Sequence, residues 1–129
     1  MAKRALPRPT EAELAILRVL WERGPSTVRE VQESLHEERG TGYTTALKLL
    51  QIMTEKGLVH RDQSQRTHVY EAAVSEDHTQ RQLVRDLLDR AFGGSAQKMV
   101  MQALSARRAS PAELAQIRRL LDDLEGETP

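Results

Sequence analysis

The chain has 129 residues and a mass of 14.6 kDa, room for one domain or two very small ones and too little for a multidomain enzyme. Apolar residues supply 39% of it and charged residues 29%, and the absence of cysteine excludes disulfides, thiolate nucleophiles and Cys-ligated metal sites. Nineteen Lys and Arg balance nineteen Asp and Glu, so the basic excess from which a nucleic-acid-binding assignment usually starts is missing. No apolar run approaches the ~20 residues that span a bilayer, and the opening MAKRALPRP lacks the apolar stretch of a signal peptide. The expectation is a cytoplasmic protein with no membrane partner.

Apolar spacing reads as helix almost throughout. Thr10 with Glu13 makes a capping-box pattern, followed by Leu14, Leu17, Leu20 and Trp21 on one face and a stop at Gly24-Pro25. Thr27 with Glu30 opens a second helix with Val28, Val31 and Leu35 inward, ending at Gly40. A third begins after Thr41-Gly42, turns Ala46, Leu49, Leu50 and Met53 to one side, and stops at Gly57. The period then changes: Leu58 to Arg61 and Thr67 to Glu71 favour strand, and the polar stretch 62–66 between them reads as the turn of a hairpin. Helical spacing returns after Ser75. Leu83, Val84, Leu87, Leu88, Ala91 and Phe92 repeat at three- and four-residue steps up to Gly93-Gly94, and Ser95 caps a short segment with Met99, Val100 and Leu104. Ser110-Pro111 with Glu113 opens a last helix whose Leu114, Ile117, Leu121 and Leu124 form a seam.

The fold class expected is therefore mainly α with a small β-hairpin. Three helices and a hairpin, in residues 8–74, have the order of a winged helix-turn-helix, a module that sets its third helix in the DNA major groove and its hairpin along the backbone or minor groove. Small helical domains with a hairpin also serve as protein-binding modules, so a winged-helix interaction module without DNA binding is the alternative. Residues 75–126 are too few to bury their apolar faces alone. A second copy of the chain is the simplest cover, which makes Leu83, Leu87, Leu88, Phe92, Ile117, Leu121 and Leu124 the expected homodimer contacts; folding back on the first half is the other solution.

The segments ELAILRVLWERGPSTVREV (Glu13 to Val31), GYTTALKLLQIMTEKGLV (Gly42 to Val59) and RTHVY (Arg66 to Tyr70) resemble the penicillinase-repressor (BlaI/MecI-type) family of bacterial transcription regulators. The resemblance is close from Glu13 to about Ser75 and looser over the helical tail. It implies a dimeric winged-helix repressor that binds a pseudo-palindromic operator of double-stranded DNA, silences β-lactam-resistance or related genes, and is released when a regulatory protease or another signal acts on it. With the core face of the third helix assigned, Thr44, Thr45, Lys48 and Gln51 fall on its opposite side. The resemblance makes them, with Tyr43, the reading residues, and places Arg66 and His68 in the wing against the DNA backbone or minor groove. Ile52 stands where relatives often carry Arg, and Gln65 where they carry Gly. Gln102-Ala103 occupies the place of the Asn-Phe bond at which family members are cut, and the cysteine motif of copper-responsive relatives is absent.

No enzyme constellation is visible, and no catalytic residue, metal or cofactor is expected. The four histidines lack metal-ligand spacing; His60, His68 and Asp62 across the hairpin come nearest, but exposed strand histidines are the commoner outcome. The serines sit in turns and caps away from any nucleophile elbow, Glu37-Glu38 and Asp122-Asp123 diverge on a helix, and Gly93-Gly94 is no phosphate loop. Residues 1–74 carry 11 basic against 10 acidic side chains, and the remainder 8 against 9. Between Tyr43 and Tyr70 the count is four against two, so the small positive excess coincides with the expected DNA face.

Overall fold

The computed structural model of the chain describes residues 8–127. The elements, in order, are α1 (Glu11–Arg23), β1 (Ser26–Thr27), α2 (Val28–Arg39), α3 (Tyr43–Lys56), β2 (Val59–Asp62), β3 (Val69–Ala72), α4 (Glu76–Arg90), α5 (Ala96–Ala106) and α6 (Pro111–Gly126). They fall into two compact units that divide between Val84 and Arg85, inside α4.

Helix starts follow the local chemistry of the sequence. Thr10, Thr27 and Ser110 each close a reciprocal capping box with Glu13, Glu30 and Glu113, which satisfies two amides that a helix start otherwise leaves without an acceptor. Gly40 and Gly57 end α2 and α3 in the left-handed conformation, at φ 62° and 83°, where a Cβ would be strained.

The core of the first unit gathers fourteen buried apolar residues, all between Ile16 and Val74. Leu17 and Leu20 of α1, Val28, Val31 and Leu35 of α2, and Ala46, Leu50 and Met53 of α3 lie in it as their spacing predicts. Two details differ. Leu14 and Trp21 are only half-buried, while Ile16 is fully enclosed, because the inward face of α1 is centred on Ile16, Leu17 and Leu20. Trp21 lies along the core's edge and donates its indole N–H to the Val74 carbonyl at 3.0 Å. Leu49 is likewise half-buried beside Leu50.

The expected two-stranded hairpin is part of a three-stranded antiparallel sheet of order β1-β3-β2. Ser26 pairs with Tyr70 and Thr27 with Val69; this edge strand of two residues is too short for any alternation to announce it. The strands also begin one and two residues later than their β-favouring residues indicate, at Val59 and Val69. Leu58 instead closes the end of α3, its N–H donating to the Met53 carbonyl at 2.9 Å.

The second unit has a different character. Neither α5 nor α6 holds a buried residue, and Val100, Met101, Leu104, Leu120, Leu121 and Leu124 are all exposed. Of the expected dimer contacts, Leu83, Leu88, Phe92 and Ile117 are half-buried, while Leu87, Leu121 and Leu124 stand about half open to solvent. No helix among the described residues is long and apolar enough to cross a membrane.

Candidate nucleic-acid interface

Helix α3 is amphipathic in the sense its sequence requires. Ala46, Leu50 and Met53 are fully buried, and Thr44, Lys48, Gln51 and Glu55, at steps of four, three and four, run along the opposite, exposed side with Thr45 beside them. This stripe carries one cation and one anion. Tyr43 begins the helix and remains 48% exposed.

The far end of α3 is tied down internally. Lys56 reaches Glu13 of α1, its Nζ donating to both carboxylate oxygens at 3.0 and 2.8 Å. Glu13 is a capping residue that the sequence would leave near the surface, yet its side chain is 3% exposed. Burial pushes its pKa up, but the hydrogen bond from Lys56 and the Thr10 amide more than offset this and hold it below the usual glutamate value.

The wing is the connection between β2 and β3. Residues 63–68, which include Arg66 and His68, are exposed throughout. Asp62 fixes the start of the turn by accepting the Ser64 N–H at 2.9 Å, and hydrogen bonding from Ser64, by its side chain first and its backbone second, lowers the Asp62 pKa. His60 pairs with Glu71 across the hairpin, and among the described residues no group of His, Asp and Glu converges as a metal site.

Tyr43, Arg66 and His68 meet around one cleft of about 420 Å³, which is also lined by Thr27, Arg29 and Leu47. The predicted residues thus occupy two adjoining surfaces: the α3 stripe of Thr44, Thr45, Lys48 and Gln51, and the cleft between the helix starts and the wing. Arg29 was not legible as part of this surface. Glu33, four residues further along α2, is the partner its spacing favours, yet the guanidinium sits over the Tyr43 ring, 6.0 Å from its centroid.

The near-zero net charge also changes meaning. Arg23 pairs with Glu30 at 3.2 Å, Arg39 with Glu11 at 3.7 Å and Lys56 with Glu13 at 2.8 Å. Among the described residues Arg29, Lys48 and Arg66 have no ion-pair partner and lie on the cleft or the stripe; Arg18 of α1 and Arg61 of β2 have no ion-pair partner either but lie outside both. Only the spacing of each cation to distant acids, invisible in the sequence, separates these two sets.

The model of the penicillinase repressor family matches residues 9–123. The chain belongs to this family. A transcriptional regulator BlaI of Mycobacterium tuberculosis is 35% identical over 127 residues, which cover 97% of this chain and 89% of the relative. The penicillinase repressors of Bacillus licheniformis and Staphylococcus aureus are 22% and 18% identical, over 92% and 88% of this chain and 92% and 90% of theirs. Among solved structures, the solution structure of monomeric Bacillus licheniformis BlaI in complex with the blaP half-operator matches with a TM-score of 0.50 at 23% identity, covering 57% of this chain and 89% of that one. That likeness establishes the fold as the family's winged helix, with β2 and β3 as the wing. The named relatives are transcriptional regulators and repressors rather than enzymes.

Proposed function

We propose that this family member is a sequence-specific DNA-binding repressor that acts in the cytoplasm as a homodimer on a pseudo-palindromic operator of a β-lactam-resistance or related gene. The observation that carries the reading is the exposed stripe of α3, continuous with a cleft and wing whose cations have no acidic partner among the described residues. Set in the major groove, Lys48 and Gln51 donate to base edges, Thr44 and Thr45 meet phosphates or thymine methyls, and the wing places Arg66 and His68 against the backbone. The solved half-operator complex of the Bacillus licheniformis relative supports the same use of the fold. Residues 8–74 are the DNA-binding domain and residues 75–126 the dimerisation domain in this reading, with the open apolar side chains of α5 and α6 covered by a second copy.

Release by a regulatory protease acting between Phe92 and Ala109 accounts for the placement of that segment ahead of α6. The Gln102-Ala103 bond lies inside helix α5, whereas 107–109 is non-helical and exposed at Arg107 and Arg108, so a cut in this chain falls more readily in the latter. The DNA reading is tested by titrating the full chain with DNA from its own gene neighbourhood. Lys48→Ala is expected to cost roughly 1–3 kcal/mol and to relax preference at one position per half-site. Equal, weak binding of every sequence by the wild-type protein would turn the assignment to a protein-interaction module.

A further inference from the structure

The cleft beside α3 carries an inference that rests on the DNA reading and goes beyond the reading helix and wing. Its two walls come from different elements: the first turn of α2 supplies Arg29 and the wing supplies Arg66, with Tyr43 between them at the start of α3. Of the nearby acids, Glu30 and Asp62 are engaged elsewhere, while Glu33, one turn along α2, makes no ion pair with Arg29. Glu30 accepts the Thr27 N–H at 2.9 Å and pairs with Arg23, and Asp62 accepts the Ser64 N–H. The Arg29 guanidinium is held over the Tyr43 ring, an arrangement that limits the freedom of a long side chain while leaving its N–H groups open to an anion.

We propose that this cleft is a seat for the sugar-phosphate backbone of the operator, in which Arg29 grips a phosphate from the α2 side opposite Arg66, and Tyr43 positions Arg29. A guanidinium suits this ligand because its planar donors match two phosphate oxygens. Arg29 therefore fixes how the protein docks without reading bases. Its contribution is independent of sequence, in contrast to that of Lys48.

The experiment measures operator affinity of the full chain against salt concentration for the wild type, Arg29→Ala, Arg29→Lys, Tyr43→Leu and Lys48→Ala, with thermal melting of each. Arg29→Ala is expected to weaken specific and unrelated DNA alike by roughly tenfold and to flatten the slope of log K against log salt by about 0.9 per protomer. Arg29→Lys keeps the slope and loses part of the affinity. Tyr43→Leu loses affinity with the slope unchanged, since the charge remains but is no longer held. Lys48→Ala changes the preference between sequences instead. An Arg29→Ala protein with the wild-type salt slope overturns the phosphate seat, whether or not its melting temperature falls, and leaves the DNA reading intact. A wild-type protein without DNA affinity overturns the DNA reading itself.

Discussion

The two compact units are built from the same kinds of residue to opposite effect. In the first, leucine, isoleucine and valine from three helices and a small sheet enclose one another, and the polar groups drawn in with them find partners: Ser26 donates to the Gly24 carbonyl at 2.9 Å and Glu13 meets Lys56. Among the described residues no buried side-chain polar atom lacks a partner. In the second, α5 and α6 are as well capped and as periodic, yet Leu120 and Leu121 stay 57% and 54% exposed. A helix start depends on three or four neighbouring residues, whereas a core depends on how many faces are brought together. The second unit has the local requirements for helix and lacks the partners that would bury its seam.

Removing α6 together with the end of α5 tests that contrast most severely. A chain ending at Gln102 should keep the cooperative melting of the first unit and lose operator affinity by roughly 10²–10⁴-fold, the gain that linking two reading heads provides. Unchanged operator binding in a gel-shift titration would show that α6 does not join the heads.

Point substitutions sharpen the comparison. Leu121→Asp places an unpaired carboxylate where a dimer would be desolvated, at a cost on the order of several kcal/mol. Sedimentation should show a monomer with the first unit's melting intact. Leu50→Ala, in the closed core, should do the reverse: a loss of about 2–5 kcal/mol in stability with the dimer retained. A wild-type protein that is monomeric at micromolar concentration in light scattering would refute the assumed cover.

The smallest effect expected is electrostatic. Lys56→Met strands the buried Glu13 carboxylate and should cost roughly 2 kcal/mol, less than the ~3–5 of a fully buried pair because Lys56 is 34% exposed. The folded Glu13 carboxyl titrates below the 4.5 of the unfolded chain. Its contribution is therefore complete above pH 4.5 and is lost as pH falls through the lower folded value. Thermal melting across that acid range should fall less steeply for Lys56→Met than for the wild type; parallel curves would mean that Thr10 alone holds the carboxylate.

What could be read from the sequence divides along the same line. The three capping boxes, the glycine stops, the inward faces of α2 and α3 and the exposed stripe of Thr44, Lys48 and Gln51 depend on neighbours within a turn or two, and each was legible. Strand β1, Arg29 over Tyr43 and Glu13 beneath Lys56 were not. Each pairs residues from separate elements, and nothing in the local pattern around Ser26, Arg29 or Glu13 marks the distant partner. Glu13 is the sharpest case, since its place in a capping box gave a complete local explanation and concealed a second role.

The ion pair between Lys56 and Glu13 has a consequence for how an operator is searched. With Lys56 turned inward, the exposed side of α3 presents Lys48 against Glu55 and so carries no net charge toward DNA. Attraction to arbitrary duplex comes almost wholly from phosphate contacts and counterion release, so here it is left to the cleft and the wing. A single head should therefore dwell only briefly on unrelated DNA and leave it easily. In the proposed dimer, long residence would then belong to sites where both heads engage at once, so the time spent at an operator would be governed by whether the heads are joined.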